Sequence, residues 1–267
     1  MLEAIFKSKK PVIGVIHLLP LPGSPRWMGD LEEVLLRAEQ ESLALASGGV
    51  DSIIIENFFD APFAKDRVDV STACALTLAV KRVAAVTSLP IGVNVLRNDA
   101  LTALAIATVC GASYVRVNVL SGAMVTDQGI IESDARNVLM YRKQLMSENI
   151  KIFADVMVKH AYPLGEGTDI ALSAKDTMLR AGGDALIVSG TGTGQSPDMN
   201  DLKKVRKAMP EAPIFIGSGS TQENVKELLS VADGIIVGTT LKRRGQLEQP
   251  VDVDRVREFV NVVKATR

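Results

Sequence analysis

Five side chains with acid–base chemistry stand at or just after short apolar runs of the sequence: His17, Glu56, Asp155, Lys159 and His160. Imidazole and carboxylate groups transfer protons, and a lysine amine shielded from water can form a Schiff base with a carbonyl substrate. We therefore treat these five as candidate catalytic residues. Because no spacing among them fixes a reaction, we assign no metal ligand and leave the cofactor open.

Three further polar residues, Asn94, Arg116 and Asn118, occur within the same apolar runs and could orient a polar ligand. Unpaired polar groups in a protein interior cost about 1–3 kcal/mol, and charges cost more, so this set needs an explanation. One explanation is a solvated pocket. The alternative is an internal network in which Arg116 is neutralised by Glu56 or Asp155 and the asparagines bind backbone.

The pair Lys159–His160 has an alternative interpretation of its own, a surface lysine beside a histidine that bonds a loop. The sequence leaves both interpretations of this pair open.

Glycine-rich segments follow the last three apolar runs and supply the remaining ligand-binding candidates. Free backbone amides in such turns favour a phosphate or another anion, and Lys242, Arg243 and Arg244 downstream add positive charge that could reach it. The alternative is a set of tight turns followed by a solvated cationic face. The candidates are Ser189, Gly190, Thr191, Gly217, Ser218, Gly219, Gly238 and Thr239.

Eight apolar, β-branched runs must position these side chains, and a stretch with helical periodicity follows each run. Eight βα units without a linker predict a single α/β domain over residues 1–267, a (β/α)8 TIM barrel of the phosphate-binding type. A doubly wound open sheet is the main rival. The runs lie at 12–17, 52–57, 91–96, 114–119, 152–157, 185–190, 214–219 and 234–239.

Alternation along the strands favours the barrel over the open sheet. In the run 114–119, Val115, Val117 and Val119 share one side of the strand, and Arg116 and Asn118 share the other. Inward and outward residues alternate in a barrel, so the polar set is expected inside, near the carboxyl ends of the strands where barrel active sites form.

Helix-capping residues support the same division of the chain. Asp30, Ser71, Asp99 and Thr221 stand where helices should begin, and Gly48–Gly49 stands where the first helix should end.

The composition limits which kinds of binding partner and which cellular compartment are expected. The 30 Lys and Arg nearly balance the 31 Asp and Glu, which argues against nucleic acid as a partner. The two cysteines, Cys74 and Cys110, lie in apolar helix-like runs and are expected to be reduced core residues in a cytoplasmic protein. No apolar run reaches the roughly 18 residues of a transmembrane helix.

Two aromatic loops stand out in a chain with 4% aromatic residues. Trp27 lies in the first loop, and Phe58, Phe59 and Phe63 lie in the second. They are expected either to pack over the barrel mouth or to contact a ligand or a partner protein.

Several motifs closely resemble the BtpA family, also called the BtpA/SgcQ family, over nearly the whole chain. They include "IGVIHLLPLPGSPRW", "IIIENFFDAPF", "IGVNVLRNDA", "FADVMVKHA" and "ADGIIVGTTLKR". The resemblance implies a phosphate-barrel-like (β/α)8 fold. Cyanobacterial members are described as photosystem I biogenesis proteins bound to the cytoplasmic face of the thylakoid membrane, and other members occur in non-photosynthetic bacteria and archaea.

Two functional hypotheses follow. The resemblance implies a photosystem I biogenesis or stabilisation factor, cytoplasmic or peripheral on the cytoplasmic face of the thylakoid, with photosystem I or its assembly machinery as partner. The polar barrel mouth indicates an enzyme that acts on a phosphorylated small molecule, and the resemblance to members with supposed roles in sugar or nucleoside metabolism implies one of the sugar- or nucleoside-phosphate type. The two are compatible, since a missing metabolic activity could disturb photosystem I indirectly. We also expect a homo-oligomer.

Overall fold

A computed structural model describes residues 2–165 and 167–267. Eight parallel strands close into a barrel in the order β1-β11-β10-β9-β7-β4-β3-β2, which confirms the predicted fold and excludes the open sheet. All eight predicted runs contain a barrel strand. The strands are β1 Val12–His17, β2 Ser52–Glu56, β3 Ile91–Asn94, β4 Tyr114–Val117, β7 Lys151–Val156, β9 Ala185–Val188, β10 Ile214–Ile216 and β11 Gly234–Val237.

Helices follow the barrel strands, as their periodicity predicts. The helices are α1 Leu31–Gly48, α2 Val70–Val86, α3 Ala100–Cys110, α4 Ala135–Gln144, α5 Ile170–Lys175, α6 Met199–Ala208, α7 Val225–Leu229 and α8 Val253–Lys264. A π-helical turn, Asp176–Arg180, extends α5, and a short 3-10 helix, Thr239–Leu241, follows β11.

Two of the four predicted helix caps are confirmed. The side chain of Asp30 accepts from the amide of Glu33, and that of Asp99 accepts from the amide of Thr102. The prediction of a cap at Ser71 is wrong, because Ser71 lies inside α2. The prediction at Thr221 is wrong, because α7 begins only at Val225.

The inside of the barrel is divided between an apolar floor and a polar mouth. At the floor, Phe6, which precedes β1, packs with Tyr114, Phe153 and Phe215. The rings of Tyr114 and Phe153 stack with their centroids 4.6 Å apart. Further along β4, Arg116 points the same way as Tyr114, whereas Val115 and Val117 belong to the core between strands and helices. The predicted alternation is therefore confirmed, and charged side chains gather at the carboxyl ends of the strands.

A three-stranded antiparallel sheet, absent from the sequence prediction, rises from the loops after β4 and β7. Its strands are β5 Ala123–Thr126, β6 Gly129–Glu132 and β8 Ala161–Pro163, in the order β6-β5-β8. Since both loops leave the carboxyl ends of barrel strands, this sheet belongs to the same end of the barrel as the polar mouth.

The prediction of buried cysteines is wrong for Cys74, which is exposed on α2, while Cys110 is half-buried at the end of α3. Both are free thiols. Within residues 2–165 and 167–267, no helix has the length and hydropathy needed to cross a bilayer.

Candidate functional site

Arg116 is the centre of a buried charge network at the barrel mouth. Its Nε and Nη2 atoms each donate to a different oxygen of Asp155 at 2.9 Å, and Nη1 donates to Oε1 of Glu56 at 3.1 Å. All three side chains are at most 5% exposed. Although burial alone would lower the pKa of Arg116, the two carboxylates raise it, so the guanidinium is a permanent cation already neutralised by protein groups.

Both asparagines belong to this network. The amide of Asn94 donates to Glu56 at 3.0 Å, and that of Asn118 donates to Asp155 at 2.8 Å. The internal network offered as the alternative interpretation is therefore present, but its asparagines bind carboxylates where backbone partners were expected. Arg116 is committed to protein partners, and its role as a direct ligand-binding residue stays a prediction.

Lys159 lies just after β7 beside this network, half-buried. No carboxylate among residues 2–165 and 167–267 forms a salt bridge with its amine, because Glu56 and Asp155 pair with Arg116. Burial and then the positive charge of Arg116 lower the pKa of Lys159 to about 8. A substantial fraction of the amine is therefore unprotonated near neutral pH, as a nucleophile or base requires.

His17 ends β1 on the opposite side of the mouth. Burial, followed by the positive charges of Lys242 and Lys159, lowers the pKa of His17 well below its ordinary value, so the ring is neutral. It packs edge-on against Phe58 with centroids 4.8 Å apart, and its Nδ1 atom has no partner among the described residues.

The turns after β10 and β11 form one cavity with these charged groups. Gly217, Ser218, Gly219, Gly238 and Thr239 line the cavity, and so do His17, Glu56, Arg116 and Lys159. The cavity has a volume of about 30 Å³. The structure thus brings together the five predicted residues of the last two turns and four of the predicted strand-end residues.

Three consecutive backbone amides in the turn after β10 indicate that an anion could bind there. The amides of Ser218, Gly219 and Ser220 donate to no backbone or side-chain acceptor within the described residues, and the buried Ser220 hydroxyl also lacks a partner. Successive free amides form a concave seat for negative charge. The Thr240 hydroxyl donates to the Ser220 carbonyl at 2.7 Å and ties the turns after β10 and β11 together.

The segment after β9 folds over this seat. Gly194 donates its amide to the Ser218 hydroxyl at 3.0 Å, and Gly219 packs so closely on the peptide between Gln195 and Ser196 that a Cβ atom would collide with it. Thr193 and Gly194 of this segment line the cavity, and neither was among the predicted site residues.

The predicted residues of this segment do not line the cavity, although the Ser189 hydroxyl lies against Gly217. Ser189 makes a weak contact with Asp155 at 3.4 Å, Gly190 packs on Gln195, and the exposed Thr191 hydroxyl bonds the Gln195 side chain. Their ligand-binding roles stay predictions.

His160 holds the segment from the side. Its Nε2 atom accepts from the amide of Thr193 at 3.1 Å and lies 3.0 Å from that residue's hydroxyl. Burial and the charge of Lys159 lower the pKa of His160. This is the loop-bonding histidine of the alternative interpretation, and a catalytic role for His160 stays a prediction.

The expectation that Lys242 reaches a bound anion is wrong. The amine is fully buried and donates to both oxygens of Glu41 on α1, at 2.8 and 2.6 Å. Arg243 and Arg244 are exposed on the surface. Lys242 instead anchors the chain after the Thr239–Leu241 helix against α1.

A second cavity of about 210 Å³ adjoins the first, sharing Glu56, Arg116, Lys159 and Thr193. Phe58 and Phe63 form part of its wall, so the aromatic loop after β2 packs over the mouth, and Trp27 packs partly buried on the core. Arg97 also lines this cavity and was missed as a site residue. The sequence placed Arg97 in a family motif without indicating that it would be buried.

The fold and this mouth define a (β/α)8-barrel protein with a polar cavity at the carboxyl ends of its strands. The chain belongs to the BtpA family, whose model matches residues 8–265. It is 50% identical over 258 residues to the photosystem I biogenesis protein BtpA of Synechocystis, covering 97% of this chain and 89% of that protein. It is 44% identical over 260 residues to an uncharacterised protein of the archaeon Thermococcus kodakarensis, covering 97% of both chains.

Two solved structures share this barrel with the chain. KGPDC from Streptococcus mutans superposes with a TM-score of 0.61 at 14% identity, covering 97% of this chain and 99% of that one. The (S)-3-O-geranylgeranylglyceryl phosphate synthase of Thermoplasma acidophilum, in complex with its substrate sn-glycerol-1-phosphate, gives 0.60 at 18% identity, covering 97% and 95%. At these identities the likeness shows the fold alone.

Proposed function

We propose that this protein is an enzyme acting on a phosphorylated small molecule of the sugar- or nucleoside-phosphate type. The phosphate lies on the turns after β10 and β11, and the reacting part of the molecule faces Lys159. The chemistry takes place where the two cavities meet.

One observation carries this proposal: Ser218, Gly219 and Ser220, whose amides have no acceptor among the described residues, line the same cavity as Lys159, whose amine forms no salt bridge among them. Protein folding leaves few such groups without partners, because each costs free energy when it is withdrawn from water. A phosphate satisfies the amides, and its negative charge favours the adjacent cation. That the barrel also occurs in a synthase crystallised with sn-glycerol-1-phosphate supports a ligand of this kind.

The cavity at the turns is narrow, with a volume of about 30 Å³. A phosphate therefore requires the segment after β9 to move outward from Ser218. The hydrogen bond between Gly194 and Ser218 must break in that movement, while the bonds of His160 to Thr193 hold the segment on its other side.

Lys159 supplies the chemistry of the proposed reaction. A neutral amine adds to a substrate carbonyl, water leaves, and an imine forms that withdraws electrons from the neighbouring carbon. Glu56 and Asp155 lie close enough to stabilise the protonated imine, and the neutral His17 is available to exchange a proton.

Inorganic phosphate tests the anion seat through thermal unfolding, because a ligand of the folded state raises its apparent stability. We expect phosphate to raise the Tm of the wild-type protein and to leave the Tm of Ser218→Asp unchanged, since a carboxylate repels the anion. Ser230→Asp, which adds the same charge at the exposed end of α7, serves as the control and should respond like wild type. Equal responses of all three proteins would refute the seat.

A role in photosystem I biogenesis is the second candidate, favoured by the 50% identity to Synechocystis BtpA. In this proposal the protein is cytoplasmic, or peripheral on the cytoplasmic face of the thylakoid membrane, and its partner is photosystem I or the assembly machinery. An exposed apolar row on the small sheet, formed by Ile130, Val125 and Tyr162 on adjacent strands, supports a protein contact. A second copy of the chain is the alternative occupant, in keeping with the proposed homo-oligomer.

Complementation separates the two candidates. A Synechocystis strain that lacks its own BtpA is supplied with this chain, with Lys159→Met or with Tyr162→Ser, and photosystem I is quantified. Recovery with Lys159→Met but not with Tyr162→Ser would indicate an assembly contact. Recovery with Tyr162→Ser but not with Lys159→Met would indicate that the phenotype depends on catalysis.

A further inference from the structure

Arg97 is a buried cation that forms no salt bridge among residues 2–165 and 167–267. It is 4% exposed, and its Nη2 atom donates to the backbone carbonyl of Lys159 at 2.7 Å. Its Nε atom has no acceptor, and it forms a salt bridge with none of the carboxylates that the structure describes. A guanidinium that serves only to stabilise the fold is expected to bind a carboxylate or several carbonyls, so Arg97 has capacity left for an acceptor from outside the chain.

Asn118 lines the same cavity and has an acceptor oxygen for which no described residue supplies a donor. Its Nδ2 atom donates to the carboxylate of Asp155, which fixes the orientation of the amide because a carboxylate only accepts. The Oδ1 atom is buried and accepts from no described donor. A hydroxyl or amine donor on a ligand would satisfy it.

While Lys159 is protonated, the described side chains around the cavity carry one net positive charge. Arg97, Arg116 and protonated Lys159 carry three positive charges, against two on Glu56 and Asp155. Asp127 also lines the cavity and acts on Arg97 from an exposed position, where solvent screens its charge and no salt bridge forms. A group with a single negative charge fits this balance, and a carboxylate matches the planar guanidinium.

We propose that the cavity beside Arg97 binds a carboxylate, so that the substrate is a phosphorylated hydroxy acid that also carries the carbonyl group with which Lys159 reacts. Its phosphate lies on the turns after β10 and β11, its carboxylate binds Arg97, and a hydroxyl donates to Asn118. The carbon chain between them passes Lys159 and packs against Phe58 and Leu96. This proposal rests on the proposed function and specifies its substrate class.

Two matched pairs of phosphate esters test the proposal by isothermal titration calorimetry on the wild-type protein. 3-Phosphoglycerate differs from glycerol 3-phosphate, and 6-phosphogluconate from sorbitol 6-phosphate, in carrying a carboxylate where the partner has a hydroxymethyl group. We expect the acid of at least one pair to bind about tenfold or more tightly than its alcohol, as one charge-assisted hydrogen bond provides. Equal affinities within both pairs would overturn the proposal without needing any variant.

Variants then locate the preference. Arg97→Met should abolish it, whereas Arg67→Met, which removes the same charge from an exposed position, should retain it. A preference that survives in Arg97→Met also overturns the proposal. Titration of the wild-type protein with inorganic phosphate separates failure of the carboxylate subsite from failure of the proposed function. If phosphate binds but the protein does not prefer the acids, only the carboxylate subsite is refuted. If phosphate does not bind, the proposed function is refuted as well.

Discussion

Arg116 binds Asp155 through two parallel hydrogen bonds, Nε to Oδ2 and Nη2 to Oδ1, both 2.9 Å long. The same guanidinium binds Glu56, so the two carboxylates nearest to Lys159 are occupied. Within the part of the chain that the structure describes, the network therefore keeps the lysine amine free of a salt bridge while leaving negative charge close to it. Arg116 is best described as a positioning residue for the reactive amine.

Asp155→Asn is expected to destabilise the protein strongly, because it leaves Arg116 buried with only Glu56 as a counterion. Breaking a buried ion pair costs about 3–5 kcal/mol. Urea unfolding measures the loss. Asp254→Asn is the matched control, since its pair with Arg257 is exposed and should cost about 0–1 kcal/mol. A similar small loss in both variants would contradict the buried network.

Lys159→Met is expected to stabilise the protein while abolishing its chemistry. The variant replaces an amine whose protonation is disfavoured by burial with an apolar side chain of similar length, a gain of about 1 kcal/mol at pH 7. The pKa of Lys159 is about 8 in the folded protein, below its value in the unfolded chain. The wild-type amine therefore lowers the free energy of unfolding by its full amount below pH 8. This effect disappears as pH rises toward the ordinary lysine pKa of about 10.4.

Urea unfolding of the wild type and Lys159→Met at pH 7 and pH 10 checks this prediction. The difference in the free energy of unfolding should favour the variant at pH 7 and shrink at pH 10. A variant that is less stable at pH 7 would show that the amine has a structural partner.

Imine formation at Lys159 should follow the free amine. With a pKa of about 8, the rate should rise about tenfold per pH unit below pH 8 and level off above it. Borohydride reduces an imine to a stable secondary amine, so mass spectrometry after incubation with dihydroxyacetone phosphate or glyceraldehyde 3-phosphate gives both the site and the rate. Modification at other lysines alone, or a pH profile centred near 10, would exclude this chemistry.

Gly219→Ala should disrupt the anion seat. Gly219 has a φ of +70°, and an added Cβ collides with the peptide between Gln195 and Ser196. Gly129→Ala is the control, since Gly129 has a φ of +96° with no atom near its missing Cβ. Both variants introduce backbone strain of about 1 kcal/mol or more, but only Gly219→Ala should also lose the thermal shift with phosphate. Retention of that shift would show that the close packing of the two loops does not shape the seat.

The barrel could be predicted because its evidence is local. Each strand is a short β-branched run, and the alternation of Val115 and Val117 with Arg116 fixes which side faces inward. The small sheet was missed because β5 and β6 are four-residue strands joined by a two-residue turn, too short for a clear period.

The candidate site was predicted less completely, because its chemistry depends on partners distant in sequence. Lys242 follows a glycine-rich turn and adjoins two arginines, yet its buried partner Glu41 lies 201 residues away. Arg97 is the opposite case, since its burial and the free Nε atom, which has no acceptor among the described residues, could not be read from the sequence. Pairing of this kind is decided by tertiary packing, which residue type and spacing do not reveal.

A crystal structure of the protein grown with glycerol 3-phosphate tests the central claim most directly. The account predicts phosphate oxygens within hydrogen-bond distance of the amides of Ser218, Gly219 and Ser220, with the segment around Gly194 moved outward and the glycerol carbons directed toward Lys159. A phosphate bound at any other place, or a saturated crystal with these three amides still unoccupied, would contradict it.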